Sequence, residues 1–167
     1  MLIEQICTSP GHNYFGHNGR PPGEFPLVSV DSIECVAGSG IRGDRYFNYR
    51  KDYKGQITFF SREVFDLMTQ ALGVTTKSPV VLRRNVIVSG IDLMELIGVD
   101  FELQGVQFQG TAHCKPCYWM NTAFAAGAEE FLVAHGGGLR ARIVTSGRIS
   151  TGEARLKILQ TAPAQAT

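Results

Sequence analysis

The chain has 167 residues, enough for one domain of ordinary size that buries a substantial core without metals or disulfides. Its 16 Lys and Arg nearly balance 15 Asp and Glu, so it lacks the basic excess that generic binding to nucleic-acid phosphates requires. There is no apolar run of membrane-spanning length, and the first residues lack the basic end and the cleavage site expected of a signal peptide. We expect a soluble, cytoplasmic protein that binds neither nucleic acid nor membrane, with one domain over 1–160 and a disordered tail over 161–167.

Short apolar runs separated by glycines predict a mainly β fold. The 19 glycines are scattered, and the runs between them are rich in Val, Ile and Phe. The predicted strands are 2–7, 27–37, 56–60, 85–89, 101–103, 106–109, 140–145 and 156–159. The polar stretch 9–26, rich in Gly, Pro and Asn, is predicted to be a long loop.

Helical signals are fewer, so the expected class is mainly β with a few helices (α+β). One helix is predicted between a capping serine, Ser61, and a terminating glycine, Gly73. Its apolar face is predicted to contain Val64, Leu67, Met68, Ala71 and Leu72. A short helical turn is predicted over 92–97, and a helical region over 116–134 that ends before three consecutive glycines.

The segment from His113 to Asn121 carries the most distinctive chemistry. Pro116 suits the first position of a helix, which would place Cys117 in the first turn. Free N–H groups there and the cation of Lys115 would favour the thiolate of Cys117. Cys117 is therefore predicted to be a nucleophile, a sulfur carrier or a soft metal ligand.

Other interpretations of Cys114 and Cys117 stay open on local sequence alone. Free cysteines are most often small buried apolar residues, and a Cys-x-x-Cys pair with an internal proline also occurs in thiol-disulfide oxidoreductases. Those motifs usually follow the first strand of a βαβ unit, whereas this one follows a predicted antiparallel hairpin. A zinc site is disfavoured because only these two cysteines are close in sequence, with His113 beside them.

Three further segments carry arginines beside glycines or strand ends. They are Gly38–Tyr46 with Asp44 and Arg45, Arg83–Val88 with Arg84 and Asn85, and Gly136–Val144 with Arg140 and Arg142 on one strand face. Guanidinium groups bind phosphate through a planar fork of donors. Each segment could equally be a surface loop or a solvated strand edge.

In order and spacing, these segments together resemble the MOSC family, the domain named for the carboxy-terminal part of molybdenum cofactor sulfurases. The matching marks are Gly40-Ile41-Arg42-Gly43-Asp44-Arg45-Tyr46, Arg83-Arg84-Asn85-Val86, Pro116-Cys117-Tyr118 with Asn121, and Gly138-Leu139-Arg140-Ala141-Arg142-Ile143. The resemblance implies a β-rich, barrel-like fold with a few peripheral helices. Many stand-alone members have His where this chain has Tyr46.

The resemblance also implies binding of the molybdenum cofactor (molybdopterin), a pterin that bears a dithiolene and a phosphate. Cys117 matches the family cysteine that carries sulfur as a persulfide or ligates molybdenum. The cofactor-binding residues implied are Arg45, Arg84, Asn85, Arg140 and Arg142, with Asp44 and Cys114 as accessory residues. Nothing in this sequence resembles the pyridoxal-phosphate desulfurase domain of the large sulfurases, so no pyridoxal phosphate is expected on this chain.

Three classes of function follow from these observations. The first is a sulfurtransferase or a component of a molybdenum-dependent oxidoreductase, served by a cysteine desulfurase or by a separate reductase as partner. The second is a non-catalytic carrier of the cofactor, in which Cys117 would be an anchor. The third is a thiol-disulfide oxidoreductase that uses Cys114 and Cys117.

Overall fold

The computed structural model describes residues 1–17 and 19–159, in which strands predominate. The strands are β1 (Leu2–Thr8), β2 (Val28–Val30), β3 (Ser32–Val36), β4 (Gly40–Ile41), β5 (Ile57–Ser61), β6 (Val86–Ser89), β7 (Asp100–Leu103), β8 (Val106–His113), β9 (Leu139–Ile143), β10 (Gly147–Ser150), β11 (Gly152–Glu153) and β12 (Leu156–Leu159). The helices are α1 (Arg62–Leu72), α2 (Trp119–Ala123) and α3 (Ala128–His135), with 3-10 helices at Pro79–Leu82 and Leu93–Leu96.

The strands form one large and one small sheet. The large sheet has the order β11-β1-β6-β5-β9-β8-β7-β12, with β2 also paired to β1, and the small sheet has the order β10-β3-β4. β5 and β6 are parallel, and α1 provides the crossover that a parallel pair needs. The neighbouring pairs β5 with β9 and β8 with β9 are antiparallel.

The two ends of the large sheet lie close together without pairing. β11 and β12 stand at opposite ends of the strand order, yet only two residues separate them in the chain. In the described part of the chain no β11–β12 ladder closes the sheet. The expectation of a sheet-dominated fold with a few helices is confirmed, but the sheet is not a closed barrel.

Two apolar clusters hold the layers together. The first fills the space between the sheets and includes Phe59, Phe101 and Phe108, whose rings lie 5.5–6.0 Å apart between centroids. The second packs the helices on the other side of the large sheet, around Phe60 and Trp119. Alternation along β5 sends Phe59 and Phe60 to opposite faces, so one strand serves both clusters.

Helix α1 begins and ends as predicted. The Ser61 hydroxyl accepts a hydrogen bond from the Val64 N–H at 3.2 Å, and Gly73 ends the helix in the left-handed conformation with φ 63°. The buried face differs from the predicted one: Phe65 and Met68 are buried, whereas Leu67 is 52% exposed.

Two predicted elements are divided in the structure. The predicted strand 27–37 splits at Asp31, because β2 pairs with β1 while β3 pairs with β10 in the other sheet. The predicted helix 116–134 begins only at Trp119 and breaks into α2 and α3 at Gly127, whose φ of 88° is left-handed. β4, β10 and β11 were not predicted.

Stretch 9–26 is a loop, as predicted, in the residues that can be described. The predicted tail over 161–167 lies outside the described residues. Among those that are described, none of the helices has the length and apolar character needed to cross a membrane.

Candidate functional site

The Cys114–Cys117 segment connects the end of β8 to α2. The Cys114 N–H donates to the Gly138 carbonyl at 2.6 Å, and the Lys115 N–H donates back to the His113 carbonyl at 3.0 Å, which makes a tight turn centred on Cys114. The side chain of Cys114 is buried, whereas Cys117 is exposed. The structure thus presents one thiol to the surface and keeps the other beneath it.

The helix that should have activated Cys117 begins later than predicted. α2 starts at Trp119 with Tyr118 at the capping position, so Pro116 and Cys117 precede the helix. The prediction that Cys117 lies in a first helical turn is therefore wrong, because the chain at Pro116 packs on the glycine loop instead of entering a helix. The carbonyl of Cys117 accepts a hydrogen bond from the Met120 N–H at 2.8 Å, directly before α2.

The glycine loop that follows α3 is held by Arg84, which is a predicted site residue, and by His113, which precedes Cys114 in the chain. Arg84 Nε donates to the Gly137 carbonyl at 3.2 Å, and Nε2 of His113 accepts a short hydrogen bond from the Gly137 N–H. A Cβ at Gly137 would overlap the Cys114 carbonyl oxygen and would lie 3.0 Å from Cδ of Pro116. Only glycine therefore allows the loop and the cysteine segment to pack this closely.

Cationic side chains lie around the contact between His113 and Gly137. Burial lowers the pKa of His113, and the charges of Arg84, Lys115 and Arg140 lower it further. A neutral imidazole is also what the hydrogen bond from Gly137 requires, since the accepting nitrogen must carry a lone pair. We call Arg84, His113–Cys117 and Gly137–Arg140 the thiol site; its excess of positive charge suits an anionic ligand.

Arg140 and Arg142 lie on one face of β9, but they differ in environment. Arg140 is half-buried and Arg142 is exposed. Burial alone would lower the pKa of Arg140, but charge attraction and a hydrogen bond to Cys114, together with Tyr53 and Tyr46, raise it. Arg140 therefore belongs to the thiol site as a partner of Cys114, while Arg142 has the environment of a surface residue.

Asp44 and Arg45 form a buried ion pair instead of an open anion site. Their side chains are 1% and 8% exposed, with 3.2 Å between Oδ2 of Asp44 and Nη1 of Arg45. Asp44 also accepts from the N–H groups of Ser9 and Tyr46, and Arg45 Nη2 donates to the Arg83 carbonyl at 2.9 Å. These polar groups are thus engaged by the protein itself.

Asn85 and Arg83 complete this network. Asn85 Oδ1 accepts from the N–H and hydroxyl of Thr58, and its Nδ2 donates to the Cys7 carbonyl and to Asp44. Arg83 donates to oxygens of the long loop at Ser9, Gly11 and Phe25. We call Asp44, Arg45, Arg83 and Asn85 the buried arginine network.

The pKa of Arg83 reflects the burial of its side chain in this network. Burial and the neighbouring charge of Arg45 lower its pKa to about 10. Of the predicted cofactor-binding residues, then, Arg84 and Arg140 lie at the thiol site, Arg45 and Asn85 lie in the buried network, and Arg142 is exposed.

Several residues near the thiols were not predicted. His113 fixes Gly137, and its place next to Cys114 in sequence is a signal that could have identified it. The Tyr14 ring lies 4.7 Å from that of Trp119, and the charge of Cys117 contributes to raising the pKa of Tyr14, after burial. Tyr46 stacks on Tyr53 at 5.4 Å, near Arg140. No sequence pattern distinguishes these tyrosines from packing residues.

A cavity of about 580 Å³ meets the thiol site only at Gly138 and contains neither of its cysteines nor its arginines in its lining. It is lined by the start of α1, by the residues after β6 and by the end of α3, including Glu63, Met94 and His135. Across the ranges that the structure describes, no group of three or more His, Cys, Asp or Glu is arranged to hold a metal ion. A metal bound at the thiol site would accordingly need most of its ligands from a cofactor.

The fold and the thiol site together define a small β-rich protein with an exposed thiol in cationic surroundings. The family model of the MOSC domain matches residues 39–155. The chain belongs to the MOSC family, which is associated with binding of the molybdenum cofactor. The match includes Cys114, Cys117 and every arginine of the two regions described above.

Solved structures support the same fold. The YUAD protein from Bacillus subtilis is similar with a TM-score of 0.71 at 20% identity, over 93% of each chain. YiiM from Escherichia coli has a TM-score of 0.66 at 15% identity, over 97% of this chain and 71% of that one. YiiM from Geobacillus stearothermophilus has a TM-score of 0.69 at 13% identity, over 98% and 77%. No curated protein matches the chain.

Proposed function

We propose that the chain binds the molybdenum cofactor at the thiol site and that Cys117 carries sulfane sulfur for it. The observation that carries the proposal is the exposure of Cys117 on the same segment as His113, whose imidazole lies among the charges of Arg84, Lys115 and Arg140. A sulfur carrier must present its thiol to a donor protein, and the exposed position of Cys117 meets that requirement. The other three cysteines are buried.

The residues of the thiol site suit the chemical groups of this cofactor. The thiolate of Cys117 is a soft ligand of the kind that molybdenum and sulfane sulfur accept. Arg84 uses Nε and Nη1 for the carbonyls of Gly137 and Leu82 in the described part of the chain, which leaves Nη2 for a phosphate oxygen. Arg140 and Lys115 add charge for the same anion.

Sulfur loading requires only one displacement at Cys117. The thiolate attacks the outer sulfur of a persulfide on a donor such as a cysteine desulfurase. The S–S bond of the donor breaks, a new bond joins that sulfur to Sγ of Cys117, and the donor leaves as a thiolate. The nearby cations stabilise the negative charge of the resulting persulfide. When bound, the cofactor supplies the metal centre that takes up the sulfur.

The test combines mass and metal measurements on the same preparations. The protein is incubated with cysteine and a desulfurase, and intact mass is measured; separately, molybdenum and pterin are assayed after exposure to the cofactor. We expect one added sulfur per chain in wild type and none in Cys117→Ser. Cys7→Ser is the matched control, because Cys7 is buried on β1 and a hydroxyl preserves its contact with Ser29.

Other results would separate the alternatives. Cofactor binding that depends on Cys117, without any added sulfur, would assign this thiol to metal ligation and favour reduction chemistry with a separate reductase. Cofactor binding unchanged in Cys117→Ser, again without added sulfur, would favour a simple carrier. If neither sulfur nor cofactor is bound, the proposal fails.

A further inference from the structure

We infer that the cavity of about 580 Å³ beside α1 is a binding site for a small organic cation, an amine attached to an apolar ring or chain. The inference goes beyond the proposed function, because neither cysteine of the thiol site lines this cavity. It is carried by an apolar lining that also contains two carboxylates without a cationic partner.

The apolar part of the lining is formed by Val64, Ile91, Leu93 and Met94. Leu93 is buried, whereas the other three are half-buried, so a ligand can cover apolar surface that the fold leaves partly open. Methionine adapts to ligands of different shape, because its side chain is unbranched and flexible. The volume also lies within the range of roughly 300–1,000 Å³ that is typical of small-molecule sites.

Glu63 and Asp92 supply negative charge on the polar side of the cavity. Glu63 accepts from the Gly90 N–H at 2.6 Å and from the Ser61 hydroxyl at 2.7 Å, and Asp92 accepts from the Met94 N–H at 2.8 Å. Burial raises the pKa of Glu63, but the bonds from Gly90 and Ser61 lower it below its ordinary value, so this group is ionised at neutral pH. Over residues 1–17 and 19–159, no Lys or Arg pairs with either carboxylate.

The acceptors that remain on these side chains suit an ammonium group. A carboxylate has about four acceptor positions, so Glu63 and Asp92 each keep capacity for a further donor. Nδ1 of His135 donates to the Phe131 carbonyl at 2.9 Å, which leaves Nε2 of the neutral imidazole as an acceptor. Among the described residues that line the cavity, none is Lys or Arg. An anionic ligand would therefore meet two like charges, whereas an ammonium would meet side-chain acceptors.

The test compares three probes that share an indole ring: tryptamine with an ammonium, tryptophol with a hydroxyl and indole-3-acetate with a carboxylate. Binding to the wild-type protein is measured at neutral pH by isothermal titration calorimetry. We expect tryptamine to bind about tenfold more tightly than tryptophol, the effect of one charge-assisted hydrogen bond. Indole-3-acetate should show no binding. Equal affinities for tryptamine and tryptophol, or binding of none of the three probes, would overturn the inference.

A double variant assigns the preference to this cavity. Glu63→Gln combined with Asp92→Asn removes both charges but keeps an acceptor at each position, and asparagine caps a helix as well as aspartate does. We expect it to bind tryptamine no more tightly than tryptophol, and thermal unfolding checks that its fold is retained.

The matched control combines Asp66→Asn on α1 with Glu130→Gln on α3, since both residues are exposed and lie outside the lining. It should keep the wild-type preference for tryptamine. Loss of the preference in both double variants would mean that overall charge, and not the cavity, attracts the cation, which would also overturn the inference. Neither sulfur nor molybdenum enters these measurements, so their failure leaves the proposed function unaffected.

Discussion

Two arginine-bearing regions look alike in sequence but have opposite roles in the structure. In the buried arginine network, Arg45 and Arg83 direct their donors at oxygens of the protein itself. At the thiol site, Arg84 also donates to two protein carbonyls, those of Gly137 and Leu82, but through Nε and Nη1 alone, and Arg140 is half-buried. A cation therefore marks a ligand site only where some of its donors are left over from the protein's own anions and carbonyls.

The largest expected effect is a loss of stability, caused by a substitution that disrupts the buried arginine network. In Asp44→Ala the guanidinium of Arg45 loses its buried counter-ion, and the N–H groups of Ser9 and Tyr46 lose their acceptor. We expect a loss of about 3–5 kcal/mol in the free energy of unfolding, measured by denaturant titration.

The matched control is Glu34→Ala, which removes the partner of Arg42 in an exposed ion pair. Water replaces such a partner easily, so its free energy of unfolding should equal that of wild type within error. Equal losses in the two variants would show that the Asp44–Arg45 pair is no more structural than a surface pair.

Much of the fold follows from the sequence, because local patterns agree with the tertiary structure there. α1 begins at a serine that caps it and ends at a left-handed glycine. The predicted helix 116–134 differs because its conformation depends on distant contacts. Pro116 packs on Gly137 of another segment, and the break at Gly127 separates two short helices that each cover part of the second cluster.

The segments of the candidate site were predicted from sequence, but the contacts that each arginine makes were not. Arg83 and Arg84 are adjacent, yet Arg83 takes a left-handed conformation at φ 56° and binds the long loop, while Arg84 binds the glycine loop. Neither secondary-structure propensity nor sequence spacing determines the direction in which each arginine side chain points, since that direction depends on loops far away in the chain.

A second prediction compares two arginines, Arg140 and Arg142, on the same face of β9. Arg140→Gln removes the cation that faces Cys114, whereas Arg142→Gln removes an exposed cation two residues away on the same face. We expect Arg140→Gln to weaken binding of inorganic phosphate by about tenfold, the effect of losing one charge-assisted hydrogen bond, as measured by isothermal titration calorimetry. Arg142→Gln should bind phosphate as tightly as wild type.

The relative affinities decide whether Arg140 contacts the anion or only adds to general charge. If the two variants weaken phosphate binding equally, net positive charge accounts for the effect and Arg140 makes no special contact with the anion. Raising the salt concentration provides a further check, because screening should reduce a general charge effect more than a half-buried contact.

The smallest expected effect concerns pH and the imidazole of His113. In the folded protein the pKa of His113 lies below its ordinary value of 6.5, chiefly through burial and then through Arg84, Lys115 and Arg140. Below about pH 6.5 the unfolded chain therefore binds more protons at this residue than the native one does. The stabilising contribution of neutral His113 is present above that pH and is lost as pH falls toward the folded pKa.

The measurement is the free energy of unfolding of wild type and His113→Gln between neutral and mildly acidic pH. Glutamine keeps an acceptor for the Gly137 N–H but does not titrate. We expect the variant to lose stability less steeply with falling pH, by a fraction of one proton. His12, whose pKa burial and Arg45 lower in the same direction, remains in both proteins and contributes to the residual slope. An unchanged slope would mean that the imidazole of His113 is not held neutral by the thiol site, and the cationic character assigned to that region would lose its support.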